Sequence, residues 1–266
     1  MSKKKIVEFS RYPVAFVALF AQIFLIIAMF LYASLAFTPV GSGVTPEARA
    51  IGANVVYGFV IGLFLSFTLW EIGFSIREEQ TRGTLETLYL SPASKFGSLV
   101  ARVFAILVWV GALSVFAILF VGSVVGGLPV ANAGLAVVVL LFSVSGFLGL
   151  AFVFAGVTIK LKETAQFLVS FLQFFFMIFS AQFFPFRALS SVNPLIVNGV
   201  SKWLPVSYCV DLFRSLLIGQ EPELGFGVAG ELVIVVLFGI ISPIAGYWAY
   251  KRLERGARMA GTLGEY

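Results

Sequence analysis

Six long apolar stretches divide the chain, and polar or charged segments separate them. A helix that crosses the roughly 30 Å hydrocarbon core of a bilayer needs about 20 apolar residues. Stretches such as Val14–Ala36 and Leu232–Tyr250 are apolar on all sides and lack the alternation of barrel strands. The pattern therefore predicts an all-α integral membrane protein with a single transmembrane domain over residues 1–266. Its six predicted spans are Pro13–Phe37, Ile51–Ile76, Gly97–Val125, Asn132–Ile159, Thr164–Phe186 and Val228–Tyr250.

The composition indicates that part of the protein surface contacts lipid, because 60% of the residues are hydrophobic and only 12% are charged. Histidine is absent and Cys209 is the single cysteine, so no internal disulfide is expected. The lack of histidine weighs against histidine-dependent hydrolases and metalloproteases. We expect neither a metal site nor catalytic residues in this chain.

The basic residues follow the predicted topology. With both termini in the cytoplasm, the cytoplasmic segments hold 14 of the 18 lysines and arginines, and the exceptions are Arg49, Arg187, Lys202 and Arg214. This positive-inside bias predicts a multi-pass membrane protein with both termini cytoplasmic, and no nucleic acid partner. Residues 1–12 are either an elbow along the inner surface or a disordered basic lead, and residues 251–266 form a cytoplasmic tail.

Two connections are too long to be simple turns. The connection at residues 187–226 is predicted to be external, and Pro194 and Pro205 interrupt it. Cys209, Leu212, Phe213 and Leu216 recur at helical spacing opposite Asp211, Arg214 and Ser215. This pattern predicts one or two short helices, which either re-enter the outer leaflet or lie on the surface.

The cytoplasmic connection at residues 77–96 contains a short predicted helix. Leu85, Leu88 and Tyr89 form an apolar stripe, and Ser91 and Pro92 end the helix. Charged residues surround the stripe. A short helix held between two spans can transmit a push from a soluble partner.

These residues carry a resemblance to a known family. The acidic and arginine cluster followed by Gly83, Thr84, Leu85 and Glu86, and then by Leu88, Ser91 and Pro92, resembles the signature of type-2 ABC transporter permeases. The six spans and the proline-containing segment Asn193–Leu217 extend the similarity over nearly the whole chain. In that family the segment between the second and third spans holds a coupling helix that contacts a separate ATPase. The resemblance implies coupling residues Arg77, Glu78, Glu79, Arg82, Gly83, Thr84, Leu85, Glu86 and Leu88.

The resemblance also implies the partners and the activity. Family members export drugs, lipids or polysaccharides, usually with two permease subunits and two cytosolic ABC ATPases. A homodimer in contact with membrane lipids is therefore expected. The chain has no GxxxxGK[ST] loop, so we expect ATP and Mg²⁺ to be bound by the partner subunit and no cofactor in this chain.

Polar residues inside predicted spans are the candidates for a translocation path, because they are costly in lipid. Thr68 and Glu71 share a face of the second span, beside a ridge of small residues at Gly58 and Gly62. Gln166, Ser170 and Gln173 share a face of the fifth span. In the resembling family these two spans line the path at the subunit interface. Interhelical hydrogen bonds, and for Glu71 an orientation toward Arg77, are the structural alternatives.

Two other classes of function remain as alternatives. A secondary transporter or channel driven by an ion gradient needs midplane carboxylates or paired discontinuous spans, and the sequence pattern indicates neither. A membrane-embedded enzyme needs a paired-carboxylate, histidine or cysteine site, which the sequence does not suggest.

Overall fold

The structure is a computed structural model that describes residues 13–35, 46–73, 95–161 and 164–259. These residues form nine α-helices and one 3₁₀ turn, Ser201–Trp203, and contain no strand. The helices are α1 Pro13–Leu35, α2 Pro46–Gly73, α3 Lys95–Val125, α4 Ala133–Leu161, α5 Ala165–Phe179, α6 Phe186–Val192, α7 Pro194–Gly199, α8 Pro205–Ile218 and α9 Gly227–Met259. The prediction of an all-helical fold is confirmed for these residues.

Four helices of the described part are long and apolar enough to cross a bilayer. The stretches are Arg49–Ile72, Val103–Val125, Ala133–Thr158 and Gly227–Gly256, and two shorter apolar stretches are Ala21–Ala33 and Gln166–Phe179. The protein is therefore a multi-pass membrane protein. Each predicted span overlaps a helix, but α5 ends at Phe179 rather than at Phe186. Its 15 residues cover about 22 Å, less than the hydrocarbon thickness.

The early end of α5 has an identifiable cause. Ala181 adopts a left-handed conformation with φ 50°, which costs energy in a residue other than glycine. The buried Arg214 guanidinium compensates by donating to the carbonyl oxygens of Ala181 at 2.7 Å and of Phe184 at 3.2 Å. Pro185 then precedes α6 in an extended conformation. The guanidinium of a distant arginine thus binds carbonyl oxygens of the turn that follows α5.

The most extensive helix pair is α4 and α9, which run parallel. Gly149 and Gly246 lie at the crossing, and a Cβ on either would overlap backbone atoms of the opposite helix. Ser242 Oγ donates to the Gly146 carbonyl at 2.8 Å, and Ser145 Oγ donates to the Gly239 carbonyl at 2.7 Å. Small residues allow this close approach, as in other membrane helix pairs.

The long helices α2, α3 and α4 alternate in direction, and α9 runs in the same direction as α4. Their connections therefore lie at one of two ends of the bundle. The turn between α3 and α4 contacts α2 and α8: Tyr57 Oη donates to the Pro129 carbonyl, and Ala131 N donates to the Leu217 carbonyl at 2.9 Å. We call this the Pro129 end. The segment that joins Gly73 to Lys95 leaves from the opposite end, where α9 also finishes.

α8 is buried on all sides. It begins with Pro205 in its first turn and ends at Gly219, whose φ is 80°. Asp211, Arg214 and Ser215 were expected on a polar face opposite the apolar stripe, but all three are buried against the bundle. The periodicity located the helix correctly, whereas the polar face packs inside because α2, α4 and α9 surround it.

Candidate functional site

One of the candidate path residues, Gln173, lies at the contact between α2 and α5. Trp70 Nε1 donates a hydrogen bond to Gln173 Oε1 at 2.9 Å. This bond joins the two predicted path-lining helices directly. It has the geometry of an interhelical hydrogen bond, which was the structural alternative for the glutamines. Gln173 is therefore part of the contact that fixes α5 on α2.

Among the polar residues of the predicted spans, Thr68 and Glu71 on α2 were identified as candidate path residues, but Trp70 was not. Successive residues of a helix are rotated by about 100°, so Trp70 lies about 200° from Thr68 around the axis. The Thr68 side chain is fully buried, and its hydroxyl has no hydrogen-bond partner among the described residues. Glu71 is half-buried. Trp70 was missed because tryptophan counts as apolar, although its indole N–H needs an acceptor when buried.

The three path residues on α5 have different surroundings. Gln166 is exposed and Ser170 is partly buried, whereas Gln173 is held by Trp70. The neighbouring side of α5 exposes Phe167, Phe171 and Phe174. In the single chain, α5 therefore presents a polar residue and several aromatic rings that no described helix covers.

The segment that follows α5 packs on the small-residue ridge of α2, which is formed by Gly58 and Gly62. A Cβ at Gly58 would overlap the Gln182 carbonyl, and one at Gly62 would overlap the Gln182 side chain. Gln182 is itself buried. Glycine is required at Gly58 because the backbone after α5 lies directly on α2, whereas at Gly62 the space is filled by the Gln182 side chain. Gln182, which the sequence pattern did not select, thus lies at the same helix pair as Gln173.

One end of α9 carries an aromatic and basic cluster. The Lys251 ammonium lies 4.7 Å from the centroid of the Tyr247 ring, and the Arg252 guanidinium lies 5.4 Å from that of Trp248. Such pairs are typical of a membrane–water interface, where the ring is half in lipid and the charge is in water. The cluster marks the end of the bundle opposite the Pro129 end.

The predicted coupling residues lie outside the described residues, namely Arg77, Glu78, Glu79, Arg82, Gly83, Thr84, Leu85, Glu86 and Leu88. The same is true of residues 1–12 and of the end of the tail after Met259. The helices on either side, α2 and α3, fix where this segment leaves the bundle. Among the described residues, no group of three or more acidic or cysteine side chains is arranged to hold a metal ion.

Comparison with known proteins supports the resemblance seen in the sequence. Residues 45–248 match the family described as ABC-2 family transporter protein. The match begins just before α2 and ends within α9, and therefore covers most of the chain. No curated protein and no solved structure matches the chain significantly. With its multi-pass helical fold and this match, the chain belongs to the ABC-2 family of transporter permeases.

Proposed function

We propose that this chain is the permease subunit of an ATP-driven ABC exporter in a prokaryotic plasma membrane. The family match over residues 45–248 carries the proposal, because membership implies association with an ABC ATPase. A separate nucleotide-binding subunit binds ATP and Mg²⁺, and this chain converts its closure into movement of the spans. The chain itself hydrolyses no ATP, consistent with the lack of a phosphate-binding loop in the sequence.

The translocation path is proposed at the α2 and α5 faces of two permease copies. Exposed Gln166, partly buried Ser170 and the uncovered phenylalanines of α5 support a surface that meets a second copy or a substrate. Thr68 and Glu71 on α2, together with Gln173, complete the candidate path. Separation of α5 from α2 would break the Trp70–Gln173 bond, so this bond belongs to the closed arrangement.

Coupling is proposed through the segment from Arg77 to Leu90. Its apolar stripe fills a cleft of the ATPase, while its charges fix the orientation. Replacing Leu85 and Leu88 together with aspartate places two charges in that contact, at a cost of several kcal/mol if both are buried there. The subunit should still insert, because no predicted span is changed, but co-purification of the ATPase and transport should both fall.

The matched control is Leu195→Asp in α7. Leu195 is an exposed leucine, 76% accessible, and it lies in the connection at the Pro129 end. This variant should retain ATPase binding. Full ATPase binding and full transport by the Leu85→Asp/Leu88→Asp variant would contradict the coupling assignment. Transport that persists without ATPase and follows an ion gradient would instead favour a secondary transporter.

A further inference from the structure

Two buried carboxyl groups face each other where α8 meets the beginning of α9. Asp211 is 1% exposed and Glu231 is fully buried. The helices that carry them, α8 and α9, pack against each other, and the two side chains interact. Asp211 Oδ1 and both carboxyl oxygens of Glu231 have no hydrogen-bond donor among the described residues. An ionised carboxylate without a donor is costly to bury, so this arrangement needs an explanation.

Most neighbouring polar groups are engaged elsewhere, although Arg214 Nε has no hydrogen-bond partner among the described residues. Asp211 Oδ2 accepts a hydrogen bond from Leu224 N at 2.8 Å, which leaves only Oδ1 open. Arg214 donates to backbone carbonyls at the end of α5 rather than to Asp211. Tyr208 donates its hydroxyl to the Lys202 carbonyl, and Glu223 pairs with Arg187. None of these groups supplies a donor to Glu231.

The charges in this region do not balance if both carboxyl groups are ionised. Arg214 carries one positive charge near the carboxylates of Asp211 and Glu223, and Glu223 also pairs with Arg187. With Asp211 and Glu231 both ionised, this interior keeps one uncompensated negative charge. One proton removes that charge and also creates the missing donor, because a carboxylic acid can donate to a facing carboxylate.

We propose that Asp211 and Glu231 together bind a single proton, which forms an O–H···O bond between α8 and α9. The bound proton links the buried helix at the Pro129 end to the last span. Its loss leaves two like charges facing each other in a dry interior, so the α8–α9 contact weakens.

Titration of Asp211 agrees with this geometry. Burial raises the pKa of Asp211 to about 6, although the Leu224 N–H and Arg214 act in the opposite direction. An aspartate in an unfolded chain titrates near 3.9. The folded protein therefore holds a proton that the unfolded chain has already released. The contribution of Asp211 to stability is therefore greatest at low pH and is lost as pH rises through about 6.

The experiment uses the purified full chain in lipid nanodiscs. Infrared spectroscopy at about pH 5, below the titration of Asp211, should show the carbonyl stretch of a protonated carboxylic acid, which Glu231→Gln removes. Thermal unfolding of the wild type should shift to lower temperature as pH rises from about 5 to about 8. In Glu231→Gln that shift should be much smaller, because the amide remains a donor at every pH. The matched control is Glu221→Gln, which changes an exposed carboxyl and should keep both the band and the pH dependence.

The outcomes separate the proposal from its rivals. If Glu231→Gln does not fold, Asp211→Asn and the wild-type infrared band still test the pair. A wild type without a protonated-acid band at about pH 5 would overturn the proposal. So would unfolding temperatures that depend on sodium or potassium rather than on pH, since these would indicate a metal cation in place of the proton.

Discussion

Gln166 and Gln173 are the same residue type on one helix, two turns apart, but the structure gives them different environments. Gln173 accepts the Trp70 indole N–H, whereas Gln166 is exposed. A hydrogen bond that joins two helices contributes to stability, and an exposed glutamine does not. Gln173 therefore fits the interpretation of this face as a helix contact, whereas Gln166 is free to serve in a translocation path.

Leucine substitutions at these two positions test that separation. Gln173→Leu should lower the free energy of unfolding by about 1 kcal/mol, because the Trp70–Gln173 bond is lost. Gln166→Leu should change it by less than about 0.5 kcal/mol. Thermal unfolding of the reconstituted protein measures both, and each serves as the control for the other. If Gln166 lines the path, its leucine variant alters transport at unchanged stability, and unchanged transport would remove it from the candidate path.

Among the helices, α9 shows how a residue that breaks hydrogen bonding is accommodated inside a span. Pro243 lies within α9 and has no N–H, so the Gly239 carbonyl four residues earlier loses its partner in the helix. Ser145 of α4 donates to that carbonyl. A neighbouring helix thus supplies the bond that the proline removes, as expected where water is excluded.

This compensation predicts a coupling between Ser145 and Pro243. Ser145→Ala should destabilise the protein by about 1 kcal/mol, because the Gly239 carbonyl is left without a donor. In a Pro243→Ala background the helix regains its own bond, so the same serine change should cost clearly less. A double-mutant cycle of unfolding temperatures measures the difference. Ser123→Ala is the control, since Ser123 is exposed and bonds only within its own helix. Additive effects of the two changes would argue against this account.

At the scale of the whole molecule, hydrophobic length predicted where the long helices lie, because every predicted span overlaps a helix, and four helices of the described part are long and apolar enough to cross a bilayer. Length did not predict the end of α5, where Arg214 binds backbone carbonyls of the following turn, or the burial of the polar residues of α8. Local periodicity carries no information on such contacts, since they join residues that are 30 or more positions apart. For the same reason the contacts of Trp70 with Gln173 and of Gln182 with α2 were not predicted. The orientation of the bundle in the membrane stays a prediction from the distribution of basic residues.

Thiol labelling tests this orientation, and the native cysteine does not interfere. Cys209 is fully buried, and burial raises its pKa to about 12, so the reactive thiolate is scarce at neutral pH. Val192 in α6 and Met259 at the end of α9 are both more than 80% exposed and lie at opposite ends of the bundle. A membrane-impermeant maleimide added to intact cells should label Val192→Cys, whereas Met259→Cys should be labelled only after permeabilisation. The wild type should remain unlabelled in both conditions. Labelling of Met259→Cys alone in intact cells would reverse the orientation, and with it the cytoplasmic position of the coupling segment on which the exporter proposal depends.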